Sequence, residues 1–302
     1  MRFLLAGGSG FLGTALRTRL EAQGHRVRNL TRRALSERGS SNGRGMPVAW
    51  APDGETGPWA SALTDTDIVI NLAGENIAAK RWTARRKAAL RDSRILATRS
   101  LVAAFHDANP RPRALISASG VGYYGPRGDE RVTESDGPGD DFLANLCREW
   151  EREASAADRL TRVVTLRTGL VLAAHGGAMK KMLLPFKLGG GATLGSGRQY
   201  MPWIHLDDWT AMVAWLASNE KAQGPFNVTA PQPETNARLT QALARSLHRP
   251  ALLHAPAFAL RLGLGELAEA LLTGQRAVPA RAEELGFRFA FRDLEGAFKA
   301  LW

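Results

Sequence analysis

The sequence predicts an α/β fold, a doubly wound parallel sheet followed by a smaller, mostly helical C-terminal region. Three observations predict it. Short apolar runs alternate with segments of helical spacing, the first run passes straight into glycines, and after Leu172 the texture turns glycine-rich and then amphipathic. At 302 residues, 44% apolar and 23% charged, the chain can bury a sizeable core without staples. Its single cysteine, Cys147, excludes a disulfide framework and a cysteine metal site, so a reduced, cytoplasmic setting is expected. No apolar run approaches the roughly 18 residues of a membrane span, so we expect a soluble protein with no membrane partner.

Each element has its own signal. Phe3–Ala6 is a short apolar run ending in glycines. Phe11–Ala22 carries helical spacing through Leu12, Ala15, Leu16 and Leu20, and Arg26–Leu30 reads as a second strand. Ile68–Leu72 is an apolar run stopped by Ala73-Gly74. Thr83–His106 is helical in pattern, with Leu90, Ile95, Leu96, Leu101 and Val102 on its apolar side. Ala114–Ile116 and Val163–Leu166 read as buried strands on either side of a helix around Phe142–Ala157. Strands alternating with helices of this length indicate βαβ units, and antiparallel pairing is not expected. Farther on, Gly189–Gly197 is glycine-rich, Pro225–Pro233 is turn-rich, and Leu206–Ser218 and Leu239–Leu247 read as helices. Phe258–Leu272 is amphipathic, and Arg281–Leu285 and Leu294–Leu301 are shorter helices. Ser36–Gly45 reads as a polar loop.

The glycines carry the functional argument. Gly7-Gly8-Ser9-Gly10-Phe11-Leu12-Gly13 follows the first strand and opens the first helix, with glycines at 7, 10 and 13. A chain that turns sharply, brings backbone N–H groups to a pyrophosphate and aims a helix N-terminus at it needs this pattern. It makes the predicted fold a Rossmann-type dinucleotide-binding sheet, with the C-terminal region as substrate or lid region. The second strand selects the cofactor. NAD sites usually place an acid about 20 residues on, bonding the ribose 2′-hydroxyl. Here the strand ends Leu30-Thr31-Arg32-Arg33, with no acid before Glu37. A hydroxyl and two guanidinia suit a 2′-phosphate, so NADP(H) is expected on Thr31, Arg32 and Arg33. Two solvated arginines in an arginine-rich chain are the plainer alternative.

The formal charge of +11 raises the question of nucleic acid. Only seven of the 40 basic residues are lysine, and the arginines are scattered without a basic, aromatic-bearing face. No specific nucleic-acid partner is expected.

Gly7–Gly13, Asn71-Leu72-Ala73-Gly74, Ser117-Ala118-Ser119 and Tyr123-Tyr124-Gly125 fall in the order of the extended short-chain dehydrogenase/reductase superfamily, which the chain resembles. Asn71–Ile77, Arg91-Asp92-Ser93-Arg94, Arg167-Thr168-Gly169, Gly195-Ser196-Gly197-Arg198-Gln199 and Trp203-Ile204-His205 narrow the resemblance to the atypical "epimerase family protein" group, a branch of the NAD-dependent epimerase/dehydratase type. The stretch from about Ala251, with Leu272–Arg276 and Leu285-Gly286-Phe287, is similar to that group's small C-terminal domain. The resemblance thus implies a cofactor-binding domain over 1–250 and a helical domain over 251–302. It implies that Gly7, Ser9, Gly10, Phe11, Leu12, Gly13, Leu72, Ala73, Gly74, Arg94 and Ser117 line the dinucleotide, with Ser117 and Ser119 near the nicotinamide. It further implies a small polar substrate, nucleotide-sugars included, and a monomer or homodimer.

The catalytic pattern departs from the superfamily. Most members use Tyr-x-x-x-Lys on a helix, the lysine tuning the phenol for proton exchange. Matching Glu151 to the acid that follows the lysine puts Leu143 and Cys147 at those two positions, and neither does that chemistry. Ser119 and Tyr123 remain as catalytic candidates, Ser119 as a bond to a substrate oxygen and Tyr123, or its neighbour Tyr124, as an acid or substrate contact, with core packing an equal alternative for the tyrosines. Tyr123 with Arg127 is the nearest substitute pair, although Gly125-Pro126 between them reads as a loop. Asn71 reads equally as a strand-end cap, Arg94 as a surface residue, Arg198 as an anion contact or a loop residue, and His205 as a helix cap. Two functions stay open: an NADP(H)-dependent oxidoreductase or epimerase relative, and a non-catalytic NADPH-binding regulatory or scaffold protein.

Overall fold

The computed structural model describes residues 1–32 and 47–302. Arg33 and the loop read over Ser36–Gly45 lie outside the described residues. The first half alternates as expected: β1 (Arg2–Ala6), α1 (Phe11–Ala22), β2 (Arg26–Thr31), β3 (Val48–Ala49), β4 (Ile68–Asn71), α2 (Ala84–Asp107) and β5 (Ala114–Gly120). It continues through β6 (Arg131–Val132), α3 (Phe142–Ser155), β7 (Arg162–Thr168) and β8 (Leu170–Leu172). The second half comprises α4 (Met179–Lys187), β9 (Ala192–Leu194), β10 (Tyr200–Met201), β11 (Trp203–His205), α5 (Leu206–Ser218), β12 (Gly224–Val228), β13 (Glu234–Thr235) and α6 (Asn236–Ser246). β14 (Leu253–Ala255), α7 (Ala257–Leu264), α8 (Glu269–Leu272), β15 (Arg276–Ala277), α9 (Ala280–Glu284) and α10 (Leu294–Lys299) complete it.

Seven strands form one parallel sheet in the order β12-β7-β5-β4-β1-β2-β3. Strand order reverses between β1 and β4, and in such sheets ligands bind beyond the carboxyl ends at that point. Each central strand is buried on both sides, so period-2 residues divide between two cores. Phe3, Leu5, Ile70, Ile116 and Val164 pack with Leu16 and Leu20 of α1 and Trp209 and Met212 of α5. Leu4, Ala6, Val69, Leu115 and Val163 pack with Ala97 and Leu101 of α2 and Ala154 of α3. Continuous apolar runs are what strands covered on both faces need. A third core joins α4, α6 and α10 around Trp203, Phe186 and Phe298.

Three expectations need correction. The turn-rich stretch from Pro225 contains β12, the seventh strand, because an edge position tolerates a proline that a central strand would not. Antiparallel pairing does occur, in the short β10–β13 ladder outside the main sheet. The amphipathic reading of Phe258–Leu272 yields α7, a 3-10 turn and α8, and α7 buries none of its residues. Among the described residues no helix is long and apolar enough to cross a membrane.

Candidate functional site

The glycine turn lies at the switch point. Gly7 sits at φ +80, and a Cβ there would lie 2.6 Å from the Leu72 carbonyl carbon, so only glycine lets the ends of β1 and β4 meet. A Cβ on Gly13 would lie 2.3 Å from the Gly7 oxygen, which presses α1 onto the turn. Gly10 differs from both. It caps α1 in extended backbone, and a Cβ there would meet only the Gly7 oxygen, at 3.2 Å. The helix has no side-chain cap and no acid in its first turn. The amides of Phe11, Leu12 and Gly13 therefore lack intrahelical acceptors at the positive end of the helix. The Phe11 ring packs beneath Gly176 and Gly177, so the segment after β8 lies over this helix start.

The neighbouring strand ends extend the cleft. At the end of β2, the Thr31 carbonyl accepts from the Trp50 amide at 2.9 Å, and Arg32 is exposed. Asn71 ends β4 fully buried. Its side chain donates to Thr98 Oγ1 at 2.9 Å and accepts from the Ala73 amide at 3.1 Å, which is strand-end capping and fixes the backbone of Leu72–Gly74. Trp150 Nε1 donates to the same Thr98 hydroxyl, tying α2 and α3 to this turn. Arg94 is buried directly under Gly74. It donates to the carbonyls of Leu90 and Glu75 at 2.8 and 2.9 Å and lies 5.2 Å from the Trp150 ring. Burial holds its pKa below the ordinary value, and among the described residues it has no ion pair. Glu75 pairs with Arg86 instead. The hydroxyl of Ser117, one strand over in register with Asn71, is buried with no partner among the described residues.

A polar row crosses the next three strands, where Ser119, Arg167 and Asn227 stand in register on β5, β7 and β12. Glu151 of α3 reaches down to them. Arg167 grips both of its oxygens, at 2.9 and 2.8 Å, and Ser119 donates to Oε1 at 2.7 Å. With its hydrogen committed to Glu151, the Ser119 oxygen can accept from a ligand but not donate to one. Arg167 also donates to the Tyr124 hydroxyl at 2.9 Å, which donates to Asn227 Oδ1 at 2.7 Å. Burial works against the Arg167 charge, but Glu151 and Tyr124 outweigh it and hold the guanidinium pKa above its ordinary value. Burial likewise pushes the Tyr124 phenol up to about 12. Tyr123 is different. Its ring lies 3.5 Å from the Arg167 guanidinium carbon, and among the described residues its hydroxyl has no hydrogen bond.

The pairing of Tyr123 with Arg127 does not occur. Arg127 donates to the carbonyls of Tyr124 and Gly137, because a tight 3-10 turn over Val121–Tyr124 ends at Gly125 and turns the chain away. Leu143 packs on Gly122, and Cys147 lies buried beside Gly120 with its thiol pushed up to about 11, by burial first and then by Glu151. His205 caps α5, its Nδ1 accepting from the Asp207 amide at 3.2 Å. Arg198 is exposed on the glycine-rich loop. The C-terminal region closes one wall: Gln275 donates to the Val121 carbonyl at 2.8 Å, and the Arg127 amide donates to the Gly274 carbonyl at 2.9 Å.

Residues 3–229 match the family model described as the NAD dependent epimerase/dehydratase family. The chain belongs to this family. Residues 255–301 match a domain of unknown function, DUF1731. Among family relatives, the epimerase family protein Mb2239 of Mycobacterium bovis is 44% identical over 288 residues, covering 94% of this chain and 92% of that protein. The mouse epimerase family protein SDR39U1 is 39% identical over 304 residues, covering 99% of both. A crystal structure of the human epimerase family protein SDR39U1 with NADPH superposes with TM-score 0.88 at 34% identity, covering 100% of this chain and 99% of that one. The UDP-glucose 4-epimerase of Thermotoga maritima, solved with UDP-glucose, shares the family's fold at TM-score 0.78 and 17% identity.

Arg167 and Glu151 are the site residues that the sequence reading did not assign a role. A signal was present, since a charged residue directly after the apolar run Val163–Leu166 can be buried only with a partner.

Proposed function

We propose that this chain is an NADP(H)-dependent oxidoreductase or epimerase relative acting on a small polar carbonyl or hydroxyl substrate, with Tyr123 as proton donor. The clamp on Tyr123 carries the reading: a phenol whose hydroxyl has no hydrogen bond among the described residues is held face-on against buried Arg167, the residue in register with Ser119. The human relative's NADPH complex supports the cofactor. So does Gly10 at the uncapped start of α1, where a Cβ would meet only the Gly7 oxygen. In this reading Gly7, Ser9, Gly10, Phe11, Leu12 and Gly13 hold the pyrophosphate. Thr31 and Arg32 meet the 2′-phosphate, Leu72, Ala73 and Gly74 flank the adenosine side, and the uncompensated charge of Arg94 stands beneath them. Ser117, whose hydroxyl is buried without a partner among the described residues, belongs to the nicotinamide end in this reading.

When bound, NADPH supplies the hydride that converts a carbonyl carbon to an alcohol carbon. Tyr123 gives its proton to the carbonyl oxygen, and the Arg167 charge against its ring offsets the negative charge left on the phenol. Ser119, held by Glu151, accepts from a substrate hydroxyl and orients it. Following NADPH oxidation with a panel of small aldehydes, ketones and keto-sugars tests this. Tyr123→Phe is expected to lower kcat about 100-fold with NADPH affinity unchanged, whereas Cys147→Ser should change little. Equal rates for Tyr123→Phe and the parent chain would remove Tyr123 from the reaction. The second reading, a regulatory or scaffold protein that binds NADPH without turnover, draws on Leu143 and Cys147 at the usual tyrosine and lysine positions. It gains if no compound in the panel reacts.

Cofactor choice gives a separate test. Losing a hydrogen bond to a charged group costs roughly 1.5–3 kcal/mol, or about ten- to a hundredfold in affinity. Arg32→Ala should weaken NADPH by that factor and leave NADH almost untouched. Calorimetric titrations showing equal weakening would remove Arg32 from the phosphate site.

A further inference from the structure

Among the described residues, eight large apolar side chains are exposed, and six of them belong to two short segments. Leu184 and Leu188 lie on and just beyond α4, while Leu252, Leu253, Phe258 and Leu262 run through β14 and α7. The exposures reach 90% at Leu252, 78% at Leu188, 77% at Leu262 and 73% at Phe258. Parallel pairing of β9 with β14 places the two segments side by side, and the Leu253 amide donates to the Gly191 carbonyl at 3.3 Å. A seventh exposed side chain, Trp302, has its ring 6.0 Å from Lys187 Nζ and so adjoins the end of α4. A helix apolar enough to belong in a core, yet burying none of its eight residues, is anomalous in water.

Charge identifies the occupant. Between His175 and Leu206, and again between Asn236 and Gly265, the sequence contains no Asp or Glu. The same stretches contain Lys180, Lys181, Lys187, Arg249 and Arg261. Arg261 is paired with Glu269, while Lys180, Lys187 and Arg249 are exposed and have no ion pair among the described residues. Two copies of this surface set face to face would oppose like charges. Apolar side chains beside unpaired cations, with Glu269 meeting α7 only through its pair with Arg261, match the interface of an anionic bilayer.

We propose that this lobe docks on the surface of an anionic lipid bilayer. Leu188, Leu252, Phe258 and Leu262 enter the headgroup boundary, and Lys180, Lys187 and Arg249 meet lipid phosphates. The sequence-based expectation of no membrane partner rested on the want of a spanning run, which surface docking does not need.

The test is co-sedimentation of the full chain with vesicles of phosphatidylcholine alone or mixed with phosphatidylglycerol, at physiological salt. Binding to the mixed vesicles should be at least about tenfold stronger. Phe258→Ser/Leu262→Ser and, separately, Lys180→Glu/Lys187→Glu should each lower it at least about tenfold. Because all four side chains are exposed, unchanged circular dichroism should accompany both variants. Arg113→Glu, an exposed charge on the loop before β5, should leave binding unchanged and so separates this surface from the overall charge of +11. The proposal fails if neither vesicle binds, if both bind equally, or if Phe258→Ser/Leu262→Ser binds like the parent chain. It also fails if the same pair of changes instead abolishes self-association or capture of a protein partner, with no vesicle binding in the parent chain.

Discussion

A chain carrying Gly10→Val is expected to bind no measurable NADPH while remaining folded. The backbone at Gly10 is extended, at φ -76 and ψ 171, a region that valine adopts readily. The one atom a Cβ would approach is the Gly7 oxygen at 3.2 Å, a gap that closes with a shift of a few tenths of an ångström. Folding therefore has little reason to fail. The valine methyl groups would instead fill the space over the first-turn amides, where a pyrophosphate must come within hydrogen-bond distance. Losing those amide contacts to a charged group removes several bonds of about 1.5–3 kcal/mol each, which takes a micromolar ligand beyond titration. Calorimetry with NADPH beside a thermal melt checks both halves. Retained binding would place the dinucleotide elsewhere, and an unfolded variant would show that the turn tolerates no Cβ.

The second large effect is on stability. Arg167→Ala leaves the largely covered Glu151 carboxylate beside Ser119 without its countercharge, and it removes a donor from Tyr124 and the cation from the Tyr123 face. Removing one partner of a buried pair typically costs about 3–5 kcal/mol, a large share of a stability usually near 5–15 kcal/mol. Arg167→Met/Glu151→Leu, which removes both charges and keeps volume, should recover much of that loss. Denaturant titrations of the two variants separate the cases. An Arg167→Ala loss below about 1 kcal/mol would mean that water reaches the pair and screens it.

Much of the architecture was legible because it rests on short-range rules. Gly7, Gly10 and Gly13 mark their turn by spacing alone, and the short apolar runs Phe3–Ala6 and Ile68–Leu72, each stopped by glycine, read as strands. His205 revealed its capping role through the Leu206-Asp207-Asp208 sequence that follows it. What stayed hidden depends on register between distant strands. Ser119, Arg167 and Asn227 are far apart in the chain and meet only because β5, β7 and β12 align. Arg127 lay closer in sequence to Tyr123 than Arg167 did, and proximity along the chain misdirected the pairing. β12 was hidden for a related reason, since Pro225 signals a turn unless the strand is known to lie at an edge.

That edge has a bearing on how the chain is made. β12 borders the sheet, and its outward polar groups are met by residues from elsewhere. The Asn227 amide donates to Glu134, the Pro225 carbonyl accepts from Arg281, and the Asn227 side chain donates to the Val278 carbonyl. Two of these three partners lie near the end of the sequence. On a ribosome, therefore, all seven strands emerge before the residues that seal their flank. Until Val278 and Arg281 clear the exit tunnel, the nascent sheet presents a raw strand to any neighbouring chain. The C-terminal segment is thus the last guard against strand-to-strand aggregation during synthesis.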